Sequence, residues 1–239
     1  MLKLNKLIKS FAGKFDPVLK GIDLSLKSGE FCVIIGSNGS GKSTLMRCIS
    51  GEYEVDKGTI ETNKNAVISS ITQDINKGTI PEMTLLENIS LSRIANKSAS
   101  LKLYKQNKDK IISIIKDLNL GLESYIDQPL SALSGGQRQM IATLMAFSSS
   151  PEILLLDEHT SALDPKHQQL LMEYTANHIK QHNITSLMIT HKLEDAVRYG
   201  NRLIMLHQGH IVLDLNEKEK QKLDANSLLK LFHQHEDQI

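Results

Sequence analysis

The 239 residues carry 28 Lys and Arg against 27 Asp and Glu, a formal net charge of +1, and 40% of them are hydrophobic. That is apolar material for one large α/β domain or two small ones, and the near-neutral charge excludes the bulk electrostatic footprint of a nucleic-acid binder. Apolar runs such as Ile153–Leu156 fall far short of the ~20 residues a bilayer span needs, and Met1–Phe11 mixes Lys with Leu without a secretory pattern, so a cytosolic chain is expected.

Residues 18–35, VLKGIDLSLKSGEFCVII, alternate around Ile22, Leu24 and Leu26, break at Ser28-Gly29 and then run apolar, which predicts two strands and a turn. Leu45, Met46 and Ile49 at helical spacing predict a helix that begins where the next glycines end. Cys32 and Cys48 have no metal-ligand spacing and read as buried structural thiols. The strand-like run VISSIT ends before Gln73. Residues 82–147 then read as largely helical, with Ile111, Ile112, Ile114, Ile115 and Leu118 on one face and Met140, Ile141, Leu144 and Met145 repeating the pattern. Ser134, ahead of Gly135 and Gly136, reads as the N-cap of that later helix. Beyond Pro151, ILLL predicts a buried strand, 166–182 a helix, ITSLMI a strand and 193–199 a helix. RLIML and HIVLDL pair as a hairpin about Gln208-Gly209, and a short helix closes the chain. Strands alternating with helices imply a mostly parallel sheet, with the helical middle as an insertion.

The segment Gly36, Ser37, Asn38, Gly39, Ser40, Gly41, Lys42, Ser43, Thr44 fits G-x-x-x-x-G-K-[ST]. It follows an apolar strand and opens a helix, as the chemistry requires: backbone N–H groups curl round phosphate oxygens and the helix N-terminus adds favourable potential. Lys42 would reach the β- and γ-phosphates and Ser43 would ligate Mg²⁺. ILLLDEHT supplies a strand ending in Asp157-Glu158, which sets two carboxylates at the carboxyl edge of the sheet, where ligands sit in doubly wound folds. Asp157 would complete the metal shell and Glu158 would orient or deprotonate the attacking water.

Together these residues resemble the nucleotide-binding subunits of ABC transporters over nearly the whole chain. LSGGQ at 133–137 is similar to the family signature, Gln73 in SSITQD to its Q-loop, Ser161, Ala162, Leu163 and Asp164 to its D-loop, and His191 in MITHK to its switch histidine. The resemblance implies a RecA-like P-loop core with a mostly parallel sheet, an N-terminal antiparallel β-subdomain and an inserted helical subdomain. It implies one ABC domain over 1–239: about 1–80 and 148–216 form the core, 81–147 the signature subdomain and 217–239 a C-terminal helix. By the same resemblance Gln73 joins Ser43 and Asp157 at Mg²⁺ and senses nucleotide, and the catalytic switch histidine His191 offers an imidazole donor near the γ-phosphate. Ser134, Gly135, Gly136 and Gln137 meet the γ-phosphate of ATP held by a second copy. Phe11 matches the ring on which adenine stacks; Phe15 lies nearby, and either ring could belong to the core. His159 stands where the family usually has Pro and is assigned no catalytic role.

The implied activity is ATP hydrolysis coupled to transport through a separate permease, with uptake of a small solute such as an amino acid expected. Implied partners are a second copy in the ATP state, integral membrane permease subunits and, indirectly, an extracytoplasmic solute-binding protein, with no nucleic acid. The chain would then sit on the inner face of the cell membrane. The alternatives are a soluble ATPase of iron–sulfur assembly, against which the intact Ser-Gly-Gly-Gln tetrad speaks, and an envelope system of the lipoprotein-release or division type.

Overall fold

The N-terminal mixture of Lys and Leu is a β-strand. In chain order the elements are β1 (Leu2–Lys9), β2 (Leu19–Leu26), β3 (Phe31–Ile35), α1 (Lys42–Ile49), β4 (Lys57–Thr62) and β5 (Ile68–Ile71), then α2 (Leu85–Ser92), α3 (Lys108–Asp117), α4 (Gly135–Ser148) and β6 (Ile153–Asp157). They continue with α5 (Pro165–His182), β7 (Thr185–Ile189), α6 (Leu193–Arg198), β8 (Arg202–His207), β9 (His210–Leu215), α7 (Glu217–Lys220) and α8 (Ala225–Glu236). The structure is a computed structural model and describes residues 1–13, 16–72, 78–93, 108–117 and 121–236. It divides into two compact units, Met1–Ile68 with Glu152–Glu158 and Ile179–Ile239, and Ser69–Pro151 with His159–His178.

In the first unit, β1 lies antiparallel between β2 and β4. Leu2, Leu4 and Leu7 turn inward and the lysines outward, so one face of this small sheet is apolar. A second sheet runs β6-β7-β3-β8-β9 within the unit, parallel from β6 to β8 and closed by antiparallel β9. All five residues of β3, Phe31 to Ile35, are buried because a central parallel strand is covered on both faces. The β8–β9 turn has positive φ at both Gln208 (45°) and Gly209 (84°), the twist that two-residue hairpins favour. Leu24, Cys32, Leu45, Leu155, Leu187 and Leu206 bring both sheets and α1 into one hydrophobic core. Parallel pairing of Ile34 and Asp157 with Ile189 brings the carboxyl ends of β3, β6 and β7 to one edge.

The second unit is helical. Leu85, Leu86 and Ile89 of α2, Ile111 and Ile115 of α3, and Met140, Ile141 and Leu144 of α4 form its core. Residues 122–125 and 130–132 are short 3₁₀ turns. The described part of the predicted helical middle is therefore helical but interrupted; Leu118 lies outside the described residues.

The chain after 216 forms two helices where one was expected. Asn216 caps α7, and the Asp224 carboxylate accepts a hydrogen bond from Ser227 N (2.7 Å), so the chain restarts at α8. Lys220 fastens this segment: its buried Nζ donates to the carbonyl oxygens of Tyr199 and Gly200, just after α6. Burial pushes its pKa from 10.5 down to about 8. Below about pH 8 the folded chain holds a cation that unfolding would rehydrate, and this destabilisation fades as pH rises towards 10.5. The Lys220 contribution to unfolding free energy is therefore expected to become more favourable by on the order of 3 kcal/mol over that window. Denaturant titrations at the two ends, with Lys220→Met as the comparison that lacks this group, check it.

Candidate active site

The phosphate loop is built where β3 runs into α1. Gly36 has φ 150°, and a Cβ there would lie 2.1 Å from Leu206 O; Gly41, at φ 106°, would place one 3.0 Å from Val18 O. Only glycine fits both positions without displacing backbone. Gly41 is also the N-cap of α1, with no side-chain cap and no acidic residue in the helix's own first turn. Lys42 is buried and its Nζ donates to Gly36 O (2.7 Å) and Ser37 O (2.9 Å). Burial lowers its pKa, opposed by the Glu158 and Asp157 carboxylates.

Opposing carboxylates arrive from β6. Asp157 is held above the usual carboxylate range by burial, while a hydrogen bond from the Ser43 side chain acts against that shift. Glu158 has φ 50°, a left-handed conformation rare for a residue with a side chain, and its N–H donates to Ile189 O (3.2 Å). Its Oε1 lies 2.7 Å from His191 Nε2. His191 is on the turn after β7, so the chain reversal at Glu158 and the end of β7 aim two side chains at each other. Lys42, Ser43, Asp157, Glu158 and His191 thus share one sheet edge.

In the second unit, Ser134 and Gln137 form a capping box: Ser134 Oγ accepts from Gln137 N (3.2 Å) and Gln137 Oε1 accepts from Ser134 N (2.9 Å). Because the hydroxyl accepts here, its own hydrogen is left to donate to an anion. Gly136 lies beside the 161–164 loop, where a Cβ would approach Leu163 Cδ2 to 2.9 Å. In that loop Ser161, Ala162 and Asp164 are exposed. Asp164 begins α5, accepting from Lys166 N (3.2 Å) and His167 N (3.3 Å), with His167 Nδ1 at 2.5 Å from its other oxygen.

Known proteins resemble this chain over most of its length. The sequence profile described as ABC transporter matches residues 19–161. The chain belongs to the ABC transporter family. It is 40% identical to a tyrosine transport ATP-binding protein of Clostridioides difficile, over 97% of this chain and 98% of that one. A phosphonates import ATP-binding protein of Trichormus variabilis is 33% identical, over 90% and 92%. The dimeric structure of a post-hydrolysis state of the ATP-binding cassette MJ0796, bound to ADP and Pi, superposes with a TM-score of 0.79 at 27% identity, covering 91% of this chain and 99% of that one. The fold is accordingly the ABC ATPase fold, and the protein is an ABC ATPase.

An ABC ATPase binds ATP, and the glycine loop at a helix N-terminus is the kind of backbone that cradles phosphate oxygens. Lys42→Ala is expected to weaken ATP binding by about tenfold to a hundredfold, the worth of a charge-assisted contact, in a calorimetric titration. The Ser43 hydroxyl and Asp157 carboxylate, already in hydrogen-bond contact, are hard oxygen donors of the kind that hold Mg²⁺ alongside phosphate oxygens, so the residues fit that ion. Gln73 and Phe15 lie outside the described residues. Phe11 stands edge-on to Tyr53, centroids 5.3 Å apart, and Tyr53 OH accepts from Arg47 Nη1 (2.8 Å), so the ring is tied to the end of α1 in the ABC ATPase.

His159 is buried, and desolvation pushes its imidazole down to about 4, which favours the neutral ring near neutral pH. Cys32 and Cys48 are buried free thiols, the former pushed up to about 12 by burial. Sequence reasoning missed Gln139, which is buried on α4 with Oε1 accepting from Ala162 N (3.1 Å). A signal was there: Gly136, Gln139, Met140, Thr143 and Leu144 recur at i+3 and i+4 spacing, which puts Gln139 on the inward face.

Proposed function

We propose that this ABC ATPase energises import of a small solute, an amino acid in the first instance, through a separate membrane permease. The observation that carries the reading is the 40% identity, over almost the full length of both chains, with a protein whose name assigns it to tyrosine transport. No described helix is long and apolar enough to cross a membrane, which accords with a permease on another chain. The protein would then bind peripherally at the inner face of the membrane, with an extracytoplasmic solute-binding protein delivering substrate to the permease.

In this reading Lys42 and the amides of Gly36–Thr44 hold the phosphates, while Ser43, Asp157 and Gln73 hold Mg²⁺, which screens phosphate charge when bound. Glu158 accepts a proton from the attacking water, and His191, 2.7 Å away, fixes the orientation of that carboxylate. Phe11 meets the adenine. Each chain contributes Ser134, Gly135, Gly136 and Gln137 to ATP bound by its partner, with Ser161–Asp164 at the junction of the two copies. Co-purification from membranes tests the assignment. Recovery with a permease, and tyrosine or related uptake that is lost on deleting the chain, is the expected result; recovery with soluble scaffold proteins alone would overturn it.

A further inference from the structure

The exposed 161–164 loop and the start of α4 belong to one compact unit, and each end of the loop is secured locally. Thr160 Oγ1 accepts from Gln168 Nε2 (3.1 Å), Leu163 N donates to Thr160 O (3.2 Å), and Asp164 caps α5. The middle of the loop is secured differently. Ala162 N donates to Gln139 Oε1, a side-chain atom of α4 reaching across from one turn below Gly136. Gln139 is only 1% exposed, whereas Ala162 is exposed, so a buried amide anchors a surface loop. At the same place Gly136 lets Leu163 and the Ala162 carbonyl approach α4, at 2.9 Å and 3.4 Å from where a Cβ would stand. Two contacts, one polar and one of shape, join the two surface features.

We propose that Gln139 is a positioning residue that makes the Ser134–Gln137 helix start and the Ser161–Asp164 loop a single rigid prong, so that both reach a second copy in fixed register. The proposal rests on the reading that ATP lies between two copies. Gln139 touches no nucleotide in that scheme. It acts through Ala162, whose backbone direction decides where Ser161 and Asp164 project. A glutamine suits the task because its amide oxygen accepts the Ala162 N–H at little desolvation cost, which an aliphatic side chain of similar volume cannot do.

Gln139→Leu removes the acceptor and retains the bulk, while Gln139→Glu retains an oxygen at the same reach and serves as the rescue. Amide hydrogen exchange on the nucleotide-free protein reads the strut itself. Ala162 should exchange about tenfold faster in Gln139→Leu, the equivalent of one ordinary hydrogen bond, and near the parental rate in Gln139→Glu. In a Glu158→Gln background, ATP-driven dimerisation should weaken about tenfold with Gln139→Leu and recover with Gln139→Glu, while ATP affinity of the monomer stays at the parental value. Unchanged exchange at Ala162, or unchanged dimerisation despite faster exchange, overturns the proposal. If Glu158→Gln alone fails to dimerise with ATP, the composite-site reading falls and takes this proposal with it. The exchange rates would still report whether the strut exists.

Discussion

Glu158→Gln is expected to lower ATP hydrolysis by about 10²- to 10⁴-fold, the range a positioned general base contributes, while leaving ATP binding near the parental level. The geometry makes this an unusually clean substitution. Glu158 occupies a left-handed backbone conformation at φ 50°, held by its N–H bond to Ile189 O, and glutamine inherits the same conformation at similar cost. The glutamine amide oxygen can still meet His191 Nε2, now 2.7 Å from Glu158 Oε1, so the imidazole keeps a partner. What is lost is the ability to take a proton. With hydrolysis blocked and binding intact, the variant should accumulate as an ATP-bound dimer on gel filtration and release phosphate only slowly. Wild-type turnover would rule out Glu158 as the base.

The residues of this site were legible because each sits at a chain reversal that the sequence marks. Gly36 and Gly41 announce the turn, and the apolar runs of β3, β6 and β7 locate Lys42, Asp157 and His191 at strand ends. Parallel pairing alone then places them together. The strand at the N-terminus was not legible, for a local reason: Leu2 and Leu4 keep period two, but the register slips before Leu7, where Lys6 takes φ 47°. A bulge of this kind breaks the alternation that would have announced the strand. Gln139 was missed for a tertiary reason. Its helical period puts it inward, but nothing local says that the amide facing it comes from a loop 23 residues further along the chain. The division at His159 and His178, which assigns the 161–164 loop to the helical unit, likewise follows from contacts and has no compositional mark.

Ser134→Arg is expected to reduce hydrolysis at least about 100-fold, the loss typical of removing a donor aimed at developing charge, with ATP affinity of the isolated chain almost unchanged. The substitution also removes a helix cap, worth about 1 kcal/mol, so a fall in activity alone would not separate function from folding. Ser134→Asp separates them. Aspartate caps as well as serine and suits a helix N-terminus, so α4 should be as stable as before, yet it replaces a hydroxyl donor by a negative charge. If the Ser134 hydroxyl faces a γ-phosphate, Ser134→Asp should be as inactive as Ser134→Arg despite an undiminished melting temperature. Whose γ-phosphate it faces is decided by mixing. Ser134→Arg chains keep Lys42, and Lys42→Ala chains keep Ser134, so a mixed pair contains one site with an intact phosphate loop from one copy and an intact capping box from the other. Hydrolysis by the mixture should then exceed the sum of what the two variants give separately. Were the capping box to serve the nucleotide of its own chain, every site in the mixture would carry one defect and no activity would return; recovery therefore requires that each ATP be shared between copies.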